Sequence, residues 1–356
     1  MNLSSATRHQ REEWPRMEGV IEAAWTGERI VAGALDRAPV GALRPTVHAR
    51  PKTDAEQIAH FSLFGVSFAV RSNTCALLDA LAGLCDAPPV SIGHEARQLD
   101  LTLTVDPALT RSAISSPPRV DTARMEIDGA DFVVRADAAL GRGSCRVSPL
   151  LCNDVDRLCG AVLEPLLLFL VARRGRVPLH AAGFVAGDLA LLLAGPSGAG
   201  KSCLTLAAQR AGFAPLSDDI VFIEAGPDPR VWGLPRPIHL FPDDAPSSEG
   251  PIRLRSGKLK TAVVLGGDPA PRHADKAVLC LLHFGDAAAL QRLDSVEAVC
   301  AFSALEPGFD LLVDEIAAAV AALTQNGGWS LTLSDRPDDA IALLADNLPL
   351  LRGAIR

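Results

Sequence analysis

Gly195-Pro196-Ser197-Gly198-Ala199-Gly200-Lys201-Ser202 satisfies the pattern G-x-x-x-x-G-K-[ST] at every fixed position. The run before it, Leu189-Ala190-Leu191-Leu192-Leu193-Ala194, is apolar and of strand length. The run after it, Cys203 to Arg210, has neither Gly nor Pro and is rich in helix formers. Strand, glycine loop and helix in that order are the context that turns the pattern into a phosphate site. The glycines let the backbone curl so that several N–H groups aim at phosphate oxygens, and the helix N-terminus adds partial positive charge. On this reading the eight loop residues bind a nucleoside triphosphate, Lys201 reaches its β and γ phosphates, and Ser202 ligates Mg²⁺. ATP and Mg²⁺ are the expected cofactors.

The rest of the composition bounds the answer. A chain of 356 residues with 48% hydrophobic content is long enough for two domains with sizeable cores. The longest apolar run, near Ala161–Ala172, is interrupted by Glu164 and Pro165, so no membrane span is expected. No apolar h-region opens the sequence, and the eight cysteines form no C-x-x-C pair. Free thiols in a reducing, cytoplasmic compartment are the expectation. A net charge of −8 argues against a general nucleic-acid binder and leaves room for a local basic patch. Neither a nucleic-acid nor a membrane partner is expected, and homo-oligomerisation is left open.

Three segments emerge along the chain. Residues 1–55 mix charge, Pro and Ala without a sustained period and read as an extension lacking a fold of its own. Residues 56–150 read as a small α+β domain. It has a strand over Phe61–Val70 and a helix over about Ala76–Leu84 opened by Asn73. A period-two strand follows over Leu99–Val105, then a hairpin turning at Asp128-Gly129. Residues 151–356 hold the glycine loop. There a helical period runs from Asp154 to Arg173 with Pro165 as a kink or restart. A strand over Val177–Ala186 turns at Gly187-Asp188 into the strand before the loop. Residues 245–275 read as a long surface loop with one short strand, Ala262–Leu265. Downstream, 277–284 is a buried strand, 309–323 an amphipathic helix, 329–333 a strand and 338–351 a closing helix.

Two further features narrow the chemistry. Asp218 and Asp219 lie 17 and 18 residues after Lys201. Phosphoryl transfer needs a metal and a group that orients or deprotonates the nucleophile. Adjacent carboxylates can divide those tasks, one at Mg²⁺ and one as the base. Spacing alone does not say which, nor does it separate this from one turn residue beside the metal carboxylate of an ordinary ATPase. His180 lies 15 residues before Gly195 on an apolar strand. Such a histidine is either a satisfied core residue or part of the site, and only geometry decides.

Leu179-His180-Ala181, the loop Gly195–Ser202, and Leu216-Ser217-Asp218-Asp219 together resemble the catalytic domain of HPr serine kinase/phosphorylase, over about Arg176–Glu224. The resemblance implies an α/β (α+β) fold whose mixed, strongly curved sheet is similar to the nucleotide domain of phosphoenolpyruvate carboxykinase. A hairpin leading into the loop strand suits that sheet. It implies Asp219 or Asp218 as base, Ser202 and the other Asp, taken as Asp218, at the metal, and His180 beside the acidic pair. Departures matter as well. The bifunctional enzymes' downstream signature E-[IV]-R-G-x-G is absent, and Val231-Trp232-Gly233-Leu234-Pro235-Arg236-Pro237 stands in the comparable region. That stretch resembles kinases encoded with ribosomal-peptide tailoring systems. Residues 1–150 do not resemble the family's N-terminal domain.

The expected function is an ATP- and Mg²⁺-dependent kinase acting on a serine or threonine hydroxyl of a small protein or peptide. The alternatives are a nucleotide-dependent binding or switch module, a plain ATPase, or a small-molecule kinase. Arg236 and the basic cluster Arg253, Arg255, Lys258 and Lys260 form either a solvated loop or a clamp for phosphate or an acidic substrate.

Overall fold

The computed structural model of the chain describes residues 56–86, 98–110, 117–242 and 252–354, apart from 197, 225, 227–228, 235–236, 256–257, 264–272 and 304–310. The extension expected over 1–55 lies outside the described residues.

The first strands, β1 (Gln57–Leu63) and β2 (Val66–Ser72), form an antiparallel hairpin where one strand was expected. Its turn is Phe64-Gly65, with φ of 52° and 72°. Two successive positive φ values match the twist of the flanking strands, and Gly65 makes the second one cheap. A helix over Cys75–Ala82 follows, capped by Thr74 and not by Asn73. Asn73 instead exchanges two hydrogen bonds of 2.9 Å with the backbone of Val105. Next come β3 (Leu99–Val105), β4 (Arg119–Val120), β5 (Arg124–Asp128), β6 (Phe132–Asp137) and β7 (Arg142–Val147). They join β1 and β2 in one mixed sheet of order β1-β2-β3-β7-β6-β5-β4, and β5–β6 is the expected Asp-Gly hairpin.

The helical stretch after this sheet is broken as Pro165 requires. An α turn over Val155–Leu158 passes through a π-helical turn, Cys159–Leu163, into a second helix, Glu164–Ala172. The wider turn places Pro165, which has no N–H to give, in the first turn of a new segment. Leu158, Val162, Leu166 and Leu170 are buried in the same core as the seven-stranded sheet.

The chain then builds three more sheets among the described residues. In order come β8 (Arg176–Leu179), β9 (Ala182–Ala186) and β10 (Leu189–Ala194), then β11 (Ala214–Ser217), β12 (Val221–Glu224), β13 (Arg230–Gly233) and β14 (Ile238–Leu240). After them come β15 (Ile252–Arg255), β16 (Lys258–Val263), β17 (His273–Ala274), β18 (Lys276–Phe284), β19 (Ala289–Leu293) and β20 (Gly328–Leu333). The six-stranded sheet runs β11-β9-β10-β18-β20-β19. It is mixed: β9–β10 is the expected hairpin, while β10, β18 and β20 are parallel. Beside it lie an antiparallel sheet, β17-β13-β12-β8, and a small one, β14-β16-β15.

Three expectations are corrected here. The strand over Val177–Ala186 is two strands in different sheets, parted at His180-Ala181. Within residues 245–275, where a loop with one short strand at Ala262–Leu265 was expected, the described residues hold two longer strands, β15 and β16. Ile-Arg-Leu-Arg and Lys-Leu-Lys-Thr-Ala-Val alternate with period two, and the chain pairs them as a hairpin despite their charge. The closing helix is two, Pro337–Asp346 and Leu348–Gly353, because Pro349 sits in the first turn of the second. The strand β19 and the helix Ser295–Ser303 had no counterpart in the sequence reading.

Among the described residues no helix is long and apolar enough to cross a membrane. All eight cysteines are free, and burial pushes the thiols of Cys145 and Cys280 up to about 12. The two halves of the chain meet through aromatic packing. Phe64, at the tip of the first hairpin, stacks on Phe222 of β12 with centroids 4.5 Å apart, and Arg176 Nε donates to the Phe64 carbonyl at 2.7 Å. Phe222→Ala is expected to cost about 3–5 kcal/mol, the usual range for removing a buried aromatic ring. A urea-unfolding midpoint no lower than that of the unaltered chain would show that this contact does not join the two parts.

Candidate phosphate and carboxylate site

The glycine loop joins the C-terminal end of β10 to the helix Lys201–Arg210. β10 is buried along its whole length, which fixes the loop's origin. Gly200 is the N-cap residue with φ 90°, a left-handed conformation that a side chain would strain. A Cβ there would also stand 2.9 Å from Leu333 Cδ1. Gly195 is enclosed, since a Cβ would meet Ala199 Cβ at 3.0 Å. Ala199 is buried, whereas Pro196 and Gly198 are exposed, and Ser197 lies outside the described residues. Lys201 is buried and its Nζ donates to the carbonyls of Gly195 at 2.6 Å and Pro196 at 3.2 Å. The ammonium is thus already folded back over the loop. Ser202 follows in the first helical turn and is partly exposed.

The acidic pair and the histidine come together at a corner between two sheets. The chain leaves the four-stranded sheet at the end of β8 and enters the six-stranded sheet at β9, through His180-Ala181. Ala181 N donates to Leu179 O at 2.9 Å, closing a three-residue turn centred on His180. The chain makes the opposite crossing from β11 to β12 through Asp218-Asp219-Ile220. Ser217 Oγ donates to Ile220 O at 2.5 Å and closes that bend. The two crossings lie side by side, because Leu179 pairs with Val221 on one side of the corner and Gly183 with Ser217 on the other. The acidic pair therefore sits in the bend between β11 and β12. β9 separates β11 from β10.

Asp218 and Asp219 occupy different environments. The Asp218 side chain is 6% exposed and that of Asp219 39%. Asp218 Oδ2 accepts from the backbone N–H of His239 at 2.9 Å, and His239 Nδ1 lies 3.6 Å from the same oxygen. Asp218 Oδ1 is buried without a hydrogen-bond partner among the described residues. Asp219 Oδ1 lies 3.6 Å from His180 Nδ1. Burial lowers the proton affinity of His180 below its ordinary 6.5; Asp219 and Asp218 work against that, while Lys201 and Lys260 add to it. The imidazole therefore stands within the field of Lys201, both carboxylates and Lys260.

Lys260 reaches this group because of the small sheet. Ile238, Leu240 and Val263 pack on Leu206 and Cys203 of the loop helix. That seats β14-β16-β15 on the helix that begins at Lys201. Of the basic cluster, Arg253 pairs with Lys260 and Arg255 with Lys258 in the backbone register. Arg236 lies outside the described residues, as do the side chains of Arg253, Arg255 and Lys258. His239 was not singled out from the sequence. The available signal was the alternation Ile238-His239-Leu240, which sets the histidine on the face opposite two core residues.

Among the described residues no three His, Cys, Asp or Glu side chains gather as a metal cage. Mg²⁺ does not need one, because beside a nucleotide it keeps water and takes one or two protein oxygens plus phosphate. Asp218 Oδ1, a buried carboxylate oxygen lacking a donor, fits that donor set, as does the hydroxyl of Ser202 at the helix start.

No family model matches the chain, and no curated protein does. Among solved structures, the Hpr(Ser) kinase/phosphatase from Coxiella burnetii aligns over 49% of this chain and 99% of that one, with 13% identity and a TM-score of 0.26. At that score the likeness carries no weight for fold or chemistry.

The charges around His180 give a signed expectation. In a histidine-resolved NMR titration its midpoint is expected below 6.5, because burial disfavours the charged ring. Asp219→Asn removes an upward pull and lowers the midpoint further, whereas Lys260→Ala removes a downward push and raises it. Shifts of the same sign, or none, would contradict the arrangement.

Proposed function

We propose that the chain is an ATP- and Mg²⁺-dependent phosphotransferase acting on a serine or threonine hydroxyl of a small protein or peptide. The observation that carries this reading is the unequal carboxylate pair held at the sheet corner, with His180 beside it and the field of Lys201 across it. A half-exposed carboxylate next to a buried one suits a hydroxyl acceptor, whose proton needs a base within reach.

The roles follow from burial. Lys201 exchanges the carbonyls of Gly195 and Pro196 for phosphate oxygens and neutralises their charge. Asp218, buried and fixed through Oδ2, is the metal-side carboxylate, with Ser202 as the second protein oxygen. A Mg²⁺ ion held there by Asp218 and Ser202 would offset the charge that develops on the phosphate oxygens. Asp219, open to solvent, takes the proton of the incoming hydroxyl as its oxygen bonds to the γ phosphorus and the bond from phosphorus to the β–γ bridging oxygen breaks. His180, neutral at pH 7, holds Asp219 in place without competing for that proton. Most of the rate gain in such a transfer comes from positioning and electrostatics.

The test uses γ-labelled ATP with Mg²⁺ and a panel of serine- and threonine-containing peptides. Label is expected on one class of acceptor and absent with Lys201→Ala. Asp219→Asn is expected to lower kcat by about 10²–10⁴-fold, the usual contribution of a general base, while leaving nucleotide affinity unchanged. Bound nucleotide that yields only free phosphate would overturn the transferase reading in favour of a switch or ATPase. Full activity in Asp219→Asn would remove the base.

A further inference from the structure

The small sheet does more than cover the loop helix. Its order is β14-β16-β15, so among the described residues β14 is an edge strand with one row of backbone groups turned away from its partner. An edge N–H is a strong donor that must be satisfied somewhere. The N–H of His239, in the middle of β14, goes to Asp218 Oδ2 at 2.9 Å. The imidazole of the same residue lies against that oxygen too, with Nδ1 at 3.6 Å, and both side chains are less than a tenth exposed. The other oxygen of the carboxylate, Oδ1, is buried with no hydrogen-bond partner among the described residues.

We infer that His239 is a positioning residue for the metal-side carboxylate: backbone and ring together hold Oδ2, fix the rotation of the carboxyl group, and commit Oδ1 to a divalent cation. The inference rests on the phosphate-site reading proposed above. Three observations point the same way. The contact joins residues 21 apart in sequence, from the bend after β11 to the middle of β14, so it is not a local turn. The strand carrying it is anchored through Ile238 and Leu240 to Leu206 in the very helix that starts at Lys201. The neighbouring strand brings Lys260 into the field of His180. Carboxylate, lysine loop and small sheet are therefore one mechanical unit. A side chain behind a metal ligand typically contributes about 10–100-fold to metal affinity.

The experiment is calorimetric binding of a non-hydrolysable ATP analogue to the full chain, with Mg²⁺ and with Mg²⁺ chelated. His239→Phe keeps ring volume and the backbone N–H but loses Nδ1; His239→Asn keeps a polar atom near the Nδ1 position. His239→Phe is expected to weaken Mg²⁺-dependent binding by about tenfold and leave metal-free binding unchanged, with His239→Asn recovering most of the loss. His239→Ala serves in place of the phenylalanine variant if that one does not fold. Unaltered Mg²⁺-dependent binding in the variant, or an equal loss with and without metal, would overturn the positioning role while leaving the nucleotide site intact. Failure of the unaltered chain to bind the analogue at all would overturn the nucleotide site and this role together.

Discussion

Everything at the site depends on two backbone crossings kept in register. β8–β9 and β12–β11 pass between the same two sheets in opposite directions, and pairing on both sides of the corner holds them together. A strand pair that stays within one sheet alternates its side chains between two faces and spreads neighbouring residues apart. A strand pair that bends out of one sheet into another must spend a few residues in turns. Here those residues are His180 on one chain and Asp218-Asp219 on the other. The bend thus gathers an imidazole and two carboxylates in the one place where the ladder is interrupted. Phe222 and Trp232 brace the outer sheet against the hairpin tip at Phe64, so the corner is backed by a packed aromatic layer.

The electrostatics follow from that placement. A carboxylate as buried as Asp218 is costly unless its oxygens find donors or a cation. One oxygen finds the edge N–H of β14, and the other finds no hydrogen-bond partner among the described residues. Asp219 is more exposed, and its Oδ1 lies 3.6 Å from His180 Nδ1. Two chemically identical neighbours are thereby set in different environments, by burial and by their partners. Burial first, with Lys201 and Lys260 adding to it, lowers the proton affinity of the His180 imidazole against the opposing pull of Asp219 and Asp218. The site is a set of mutually dependent charges, each held by a different element.

Much of this was legible in the sequence. The pattern from Gly195 to Ser202 with its flanking strand and helix needs only local chemistry, and the β9–β10 hairpin follows from the Gly187-Asp188 turn. Period two exposed β3, and the Asp-Gly turn exposed β5–β6. The misreadings share a cause. Phe61–Val70 and Val177–Ala186 looked like single strands because apolar composition does not show where a strand changes partner or sheet. Gly65 marked the first break, and nothing local marked the second. The β15–β16 hairpin was hidden by charge: alternating Arg and Lys read as a surface loop, and the backbone pairing of the two strands is not visible in either one alone. His239 was invisible because its partner, Asp218, lies 21 residues away in the bend between β11 and β12. Long-range pairing is what a single sequence does not display.

The central claim is that the glycine loop and the sheet corner form one site. It is tested most directly by a crystal structure with Mg²⁺ and a non-hydrolysable ATP analogue. The account predicts that Lys201 Nζ leaves the carbonyls of Gly195 and Pro196 for the β and γ phosphates. It also predicts the metal between Ser202 and Asp218 Oδ1, and the γ phosphate facing Asp219. A nucleotide bound away from the loop, or Lys201 still folded on its own carbonyls with the corner untouched, would contradict it.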